Sequence, residues 1–203
     1  YAAGVAVDAS GNAFLTGAFK SSALNLGGSN LTNAGSGDAF LAKYRGTDGL
    51  HQWSKRYGGT SDDLGSAVAI DSTGAAVITG QFQGTADFGG VSLTTPSLSY
   101  SNVVLARYAA ADGATLWAKR FGTTLPASGR AIASDANGHI AITGFFMSTV
   151  DFGNAAPLTS LGGTEGFLAQ YNAADGSTVW AKKLGGVSSD LGLGVAMDKI
   201  RGN

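Results

Sequence analysis

Two histidines, fourteen carboxylates and thirteen basic side chains carry all the ionic chemistry of this 203-residue chain, which has no cysteine. Without cysteine there is no thiolate nucleophile, disulfide framework, zinc–thiolate site or iron–sulfur cluster. His51 and His139 stand in no Ser/Asp context resembling a catalytic triad, so both read as strand-packing or surface residues. Asp-x-x-Gly strings at Asp8–Gly11, Asp71–Gly74 and Asp135–Gly138 invite a calcium reading. Each offers a single carboxylate where a calcium loop gathers several, and turn chemistry accounts for the Asp without a metal. Asp62-Asp63, the only adjacent acidic pair, reads as part of a solvated loop. No Gly-x-Gly-x-x-Gly or Walker string precedes a helical pattern, which removes phosphate-binding loops. These residues predict no catalytic group, no metal ligands and no cofactor.

Two sets of residues remain as binding candidates. Asp38, Asn102 and Glu165 occupy one repeated position at the start of a strand. If that end faces a channel, they form a ring of polar acceptors suited to a cation or a sugar; otherwise each is a polar residue that starts its strand from a turn. The basic pairs Lys55-Arg56, Lys119-Arg120 and Lys182-Lys183 hold six of the thirteen basic residues. Neighbouring strand residues face opposite sides, so a pair is not one flat patch. Repetition about an axis would give a ring of positive charge; the plainer reading is edge charge that blocks aggregation.

The elements that must position these residues come in repeats. Trp53, Trp117 and Trp180 are 64 and 63 residues apart, and Asp8, Asp71, Asp135 and Asp198 are spaced 63, 64 and 63. Thr-Gly at 16, 79 and 143, Tyr at 44, 108 and 171, and Asp-Gly at 48, 112 and 175 keep the same register. The units span 1–63, 64–127 and 128–190, with 191–203 opening a fourth. Starting at Tyr1 without a signal-peptide pattern, the chain reads as a fragment or a processed chain.

Each unit predicts two antiparallel hairpins. In the second unit, 66–71 and 75–82 flank the Asp71–Gly74 turn, and 102–108 and 115–121 flank Asp112-Gly113. Asp bonds its own backbone two residues on, and Gly supplies the positive φ of the return. The strands are apolar on both faces, as in Phe40-Leu41-Ala42, so both faces must be covered. A middle segment, Ala86-Asp87-Phe88-Gly89-Gly90 and its siblings, reads as one extra short strand or an ordered loop crossing the blade. Thirteen of the fourteen acids are Asp, a turn-former, and Glu165 is the only Glu, which argues against helix. Four repeated strands per unit predict an all-β fold of β-propeller blades, with three full repeats and part of a fourth in an incomplete propeller. A parallel β-helix is the second architecture, though its coils repeat at far shorter spacing.

These landmarks resemble the bacterial β-propeller repeats called SBBP. The matching stretch runs DAFLAKY (38–44), Asp48-Gly49, Trp53-Ser54-Lys55, Gly58-Gly59, then Ala69–Gly74 and Thr79-Gly80. Residues 5–12 look like repeats of the NHL type, and 112–117 like quinoprotein repeats. The second unit departs from the pattern at Thr123–Pro126, and the fourth-unit turn at 198–203 is one residue longer than Asp8–Asn12. The resemblance implies an exported or cell-surface protein, periplasmic location included.

A uniform repeat without a singular catalytic constellation predicts a non-enzymatic module for scaffolding, adhesion or ligand binding. The alternative is part of an enzyme propeller, quinoprotein-like or glycan-active, whose site lies on other blades. Expected partners are a protein or glycan ligand, and further blades of the same chain or other copies. A net charge of −1 argues against nucleic acid, and no apolar run is long enough for a membrane-spanning helix.

Overall fold

Short strands apolar on both faces, punctuated by Asp and Gly, dictate the architecture. A computed structural model describes residues 1–153 and 156–198. It contains eighteen strands and no helix among these residues. The first unit holds β1 (Ala2–Val7), β2 (Ala13–Phe19), β3 (Ala23–Leu24), β4 (Leu31–Thr32), β5 (Asp38–Tyr44) and β6 (His51–Gly59). The second repeats them as β7 (Leu64–Ile70), β8 (Ala76–Phe82), β9 (Thr85–Asp87), β10 (Ser92–Thr94), β11 (Asn102–Tyr108) and β12 (Thr115–Phe121). The third gives β13 (Ala127–Ser134), β14 (His139–Phe146), β15 (Thr149–Val150), β16 (Leu158–Thr159), β17 (Glu165–Asn172) and β18 (Thr178–Leu184).

Each unit is a four-stranded antiparallel blade, ordered β1-β2-β5-β6, β7-β8-β11-β12 and β13-β14-β17-β18. The all-β blade arrangement expected from the repeat is present, and no ring is closed among the described residues. The middle segment differs from expectation. It forms two strands, a miniature hairpin in each unit. In the second unit this hairpin pairs Asp87 with Gly58 and Ala86 with Gly59, extending the first blade to six strands. The fourth-unit turn at 199–203 lies outside the described residues.

The turns follow the Asp-Gly code. Gly11, Gly74 and Gly138 have φ of 80°, 87° and 84°, and Gly49, Gly113 and Gly176 have 71°, 71° and 66°. A register shift recurs one step before the Asp-Gly turn, at Lys43/Tyr44, Arg107/Tyr108 and Gln170/Tyr171. Such a bulge adds local twist at the rim.

The core lies between blades. One cluster joins Phe14, Leu41 and Tyr57 of the first blade to Ile78, Val104 and Tyr108 of the second. The next joins Val77, Val103 and Leu105 to Ile142, Phe146 and Phe167 of the third. Val77 and Ile78 are adjacent in β8 and serve opposite interfaces, as strand alternation requires. Full burial of such side chains stabilises by roughly 1.5–3 kcal/mol each.

Two repeated contacts set how one blade meets the next. At the inner end, Gly65 and Gly129 lie against the side chains of Thr16 and Thr79 in the preceding blade, and Gly192 lies likewise against Thr143. A Cβ on any of them would fall into the threonine hydroxyl, while each hydroxyl donates to a strand carbonyl, as Thr79 does to Val104 O at 3.0 Å. At the outer end, Trp53 Nε1 donates to Ala110 O (3.1 Å) and Trp117 Nε1 to Ala173 O (2.9 Å). Each tryptophan therefore staples its blade to the turn of the following one.

Candidate functional site

The structure brings together the two candidate sets that the sequence leaves separate. Asp38, Asn102 and Glu165 start β5, β11 and β17, and all three are fully buried. Each faces the second member of the basic pair on the neighbouring strand. Arg56 Nη1 lies 3.4 Å from Asp38 Oδ2, Arg120 Nη1 2.8 Å from Asn102 Oδ1, and Lys183 Nζ 3.9 Å from Glu165 Oε1. The acceptors also hold the loop before the strand: Ala34 N–H donates to Asp38 Oδ2 (2.6 Å) and Leu161 N–H to Glu165 Oε2 (2.9 Å). Asn102 instead donates, to Ser101 O and Thr123 O. These residues form a repeated rung inside each blade and do not line the axial clefts described below. The first members, Lys55 and Lys119, lay their stems beneath Gly113 and Gly176 of the next unit's turn. Lys182 is the exposed third member. The pairs thus split between a buried rung and an inter-blade contact.

The adjacent acids also split. Asp62 is exposed and pairs with Lys20 at 3.1 Å. Asp63 is buried, contrary to the solvated-loop reading, because its carboxylate caps the chain where the first blade passes to the second. Gly59 N–H donates to its Oδ2 (2.7 Å) and Gln83 N–H to its Oδ1 (3.2 Å). Asp38 Oδ1 and Asp63 Oδ2 converge over Gly58, where a side chain would strike both, and Asp38 Oδ1 is buried without a hydrogen-bond partner. Burial pushes the Asp63 carboxyl up to about 7 against the two N–H donors, and the charges of Asp38 and Asp62 push it the same way. Burial raises Asp38 as well, opposed by the Ala34 N–H and by Arg56.

The feature that sequence reasoning missed is a cleft of about 460 Å³ at the end of the innermost strands. Three equivalent segments, 7–9, 70–72 and 134–136, line it. Beside it a second space of about 320 Å³ is lined by 5–7, 68–70, 132–134 and 195–197, so the first strand of each blade and the 195–197 segment face one opening. The signal was present in the sequence: the same Asp-x-x-Gly turn at the same strand end in every unit places equivalent atoms around a common point.

The cleft's aspartates are committed to their turns. Asp71 Oδ1 accepts from Thr73 and Ala75 N–H, and its Oδ2 from Arg107 Nε at 2.7 Å. Asp8 accepts from Ser10 and Asn12, and Asp135 from Asn137 and His139. Burial pushes Asp8 and Asp135 up, but hydrogen bonds from Asn12 and Ser10, and from His139 and Asn137, outweigh it and hold both below the usual range. His139 Nδ1 lies 2.8 Å from Asp135 Oδ2. His51 packs edge-on to Tyr44, with ring centroids 5.8 Å apart. Among the described residues no three His, Asp or Glu side chains are grouped to hold a metal. What the cleft presents to a ligand is Ser72, the small Ala9 and Ala136, and the apolar wall of Val7 and Ile70.

The fold and these contacts define an all-β protein of repeated four-stranded blades. No protein-family model and no curated protein matches the chain.

Proposed function

We propose that this chain is a non-enzymatic β-propeller repeat module, exported or at the cell surface, that acts in adhesion, scaffolding or ligand binding. The supporting observation is the axial cleft, where three equivalent turns converge and every turn aspartate is already engaged in holding its own backbone. Rigid, repeated turns around a concave opening suit recognition of a shaped ligand, because the lining is ordered before the ligand arrives. A glycan or a protein loop fits a mouth that mixes hydroxyl and apolar surface. The cell-surface assignment rests on the resemblance to SBBP repeats.

The test is a glycan-array and protein-ligand screen with the whole chain and a Ser72→Trp variant. Ser72 is exposed on its turn, so the substitution obstructs the cleft and not the core. The expected result is a ligand whose affinity falls at least about tenfold in Ser72→Trp, the equivalent of about 1.4 kcal/mol. Equal binding by the variant contradicts the cleft assignment. Turnover of a bound glycan would favour the enzyme alternative.

A further inference from the structure

We infer that Asn137 is a site of spontaneous covalent modification, where the side-chain amide cyclises onto the Gly138 nitrogen and the ring opens to aspartate or isoaspartate. Asn137-Gly138 is the only place in the chain where glycine follows asparagine; elsewhere the next residue is Ala, Leu or Val. Glycine has no Cβ to hold the side-chain carbonyl carbon away from its nitrogen, whereas a larger successor crowds that approach. Ser10 and Thr73, at the equivalent place in the sibling turns, carry no amide and have no such reaction open to them.

The third turn also leaves the attacking nitrogen unengaged. In the sibling turns Gly11 N–H donates to Asp8 O at 2.9 Å and Gly74 N–H to Asp71 O at 3.0 Å. In the outer turns Gly49, Gly113 and Gly176 donate to the carbonyls of Arg45, Ala109 and Asn172 at 2.8, 2.9 and 2.8 Å. Gly138 N–H has no acceptor among the described residues, and the Gly138 carbonyl is drawn the other way, accepting from Ala173 N–H at 2.7 Å. Asn137 is exposed, so water, the second reactant, reaches it.

The chemistry balances without a cofactor. Gly138 N bonds to Asn137 Cγ and gives its proton to solvent, the Cγ–Nδ2 bond breaks, and ammonia leaves. Water then opens the ring at one of its two carbonyls. Cleavage at Cγ gives aspartate, and cleavage at the main-chain carbonyl gives isoaspartate, which routes the backbone through Cβ and Cγ. Aspartate adds a carboxylate two residues from Asp135. Isoaspartate adds a backbone atom between the Asn137 and His139 N–H groups, which Asp135 Oδ1 holds at 2.9 and 2.8 Å. That turn then loosens, and with it the cleft wall at Asp135 and Ala136, while the walls at 7–9 and 70–72 keep their form. Conversion at Asn137 holds whatever the cleft binds.

The test is peptide mass spectrometry of the whole chain aged in warm, mildly alkaline buffer, folded and in urea, beside an Asn137→Thr variant that copies Thr73. Replacement of amide by acid, a mass gain of O over NH, is expected at Asn137 of the folded chain at least about tenfold faster than at any other asparagine. Its rate is expected to lie within about threefold of the rate in urea. Isoaspartate at the Asp-Gly turns 48–49, 112–113 and 175–176, read by enzymatic carboxyl methylation, is expected only in urea, since their glycine N–H groups are engaged. Ageing is expected to lower the urea midpoint of the parent and leave that of Asn137→Thr unchanged. Conversion at Asn137 in urea alone, or no faster than at the other asparagines, overturns the proposal. Isoaspartate forming at the folded Asp-Gly turns as fast as at Asn137 overturns the part given to the unengaged N–H, and an equal fall in midpoint in Asn137→Thr overturns the loosening of the turn.

Discussion

Gly129→Val is expected to cost about 3 kcal/mol or more, the upper end of what overpacking a filled site does. Strand propensity argues the other way, since Val suits a strand and Gly weakens one by up to about 1 kcal/mol. Sterics win because of what faces Gly129. A Cβ there would enter the Thr79 hydroxyl and come within 3.2 Å of the Gly80 backbone N. Thr79 cannot swing aside cheaply: it is fully buried and its hydroxyl donates to Val104 O. Gly186 is the control, because a side chain there meets nothing within 4 Å. Gly186→Ala should stay within about 0.5 kcal/mol of the parent. In a double-mutant cycle, Thr79→Ala should rescue part of the Gly129→Ala loss, with a coupling of about 1 kcal/mol or more. Urea midpoints read all of these, and a Gly129→Val midpoint equal to that of Gly186→Ala would sink the close-contact account.

Raising the pH from 4.5 to 7.5 is expected to destabilise the protein, and Asp63 is the cause. Its carboxyl is held at about 7 in the folded chain and returns to the ordinary value of 3.8 on unfolding. A raised folded value means that the folded state binds the proton more tightly. The resulting stability is complete below pH 3.8 and is lost as the pH climbs to about 7. The whole effect is on the order of 4 kcal/mol. Geometry supplies the reason. Two ionised carboxylates repel over Gly58, where Asp38 Oδ1 and Asp63 Oδ2 both lie, and a proton on Asp63 relieves that repulsion. The other charged groups at this junction are Arg56 on Asp38 and the exposed Asp62–Lys20 pair. Asp8 and Asp135, whose carboxyls are held low, contribute the opposite slope, lost as the pH falls through their folded values, so it lies at the acid end, outside this window. Asp63→Asn should flatten the profile between pH 4.5 and 7.5, and Asp38→Asn should shallow it. A flat parent profile, or an Asp63→Asn variant that keeps the slope, would contradict the assignment. The second blade shows the uncharged version of this junction, with Asn102 for Asp38 and Ala127 for Asp63.

Much of the fold was legible in the sequence because the repeat concentrates information at turns. An Asp that bonds its own backbone and a Gly at positive φ mark both hairpins of every unit, and the strands between them follow. The miniature hairpin is less legible, and the sequence suggests only one short strand or a loop there. Pairs as short as Ala23-Leu24 with Leu31-Thr32 carry no alternation to read, and β9 is partly held by β6 of the preceding unit, a contact remote in sequence. The binding candidates show the same boundary. That Asp38 and Arg56 lie on neighbouring strands follows from the hairpin, but full burial of Asp38 depends on the loop at Ala34 folding over it. Asp62 and Asp63 are adjacent letters with opposite fates, one in solvent and one capping the passage between blades. Only the three-dimensional course of 59–64 separates them. The axial cleft was invisible for a related reason: no single unit contains it, since each contributes one wall.

The central claim is that successive repeats stack in one register through the same glycine–threonine contact. Disulfide trapping tests it directly, in a chain whose lack of cysteine removes any background. From the glycines' ideal Cβ positions to the threonine Cβ atoms, the separations are 3.3 Å for Thr16 and Gly65 and 3.2 Å for Thr79 and Gly129, close to the range a disulfide requires. Oxidation of Thr16→Cys/Gly65→Cys and of Thr79→Cys/Gly129→Cys is predicted to close an intramolecular disulfide in each, while Thr16→Cys/Gly129→Cys, one blade out of step, keeps its thiols free. Ready closure of the out-of-step pair, or free thiols in both in-step pairs, would contradict the account.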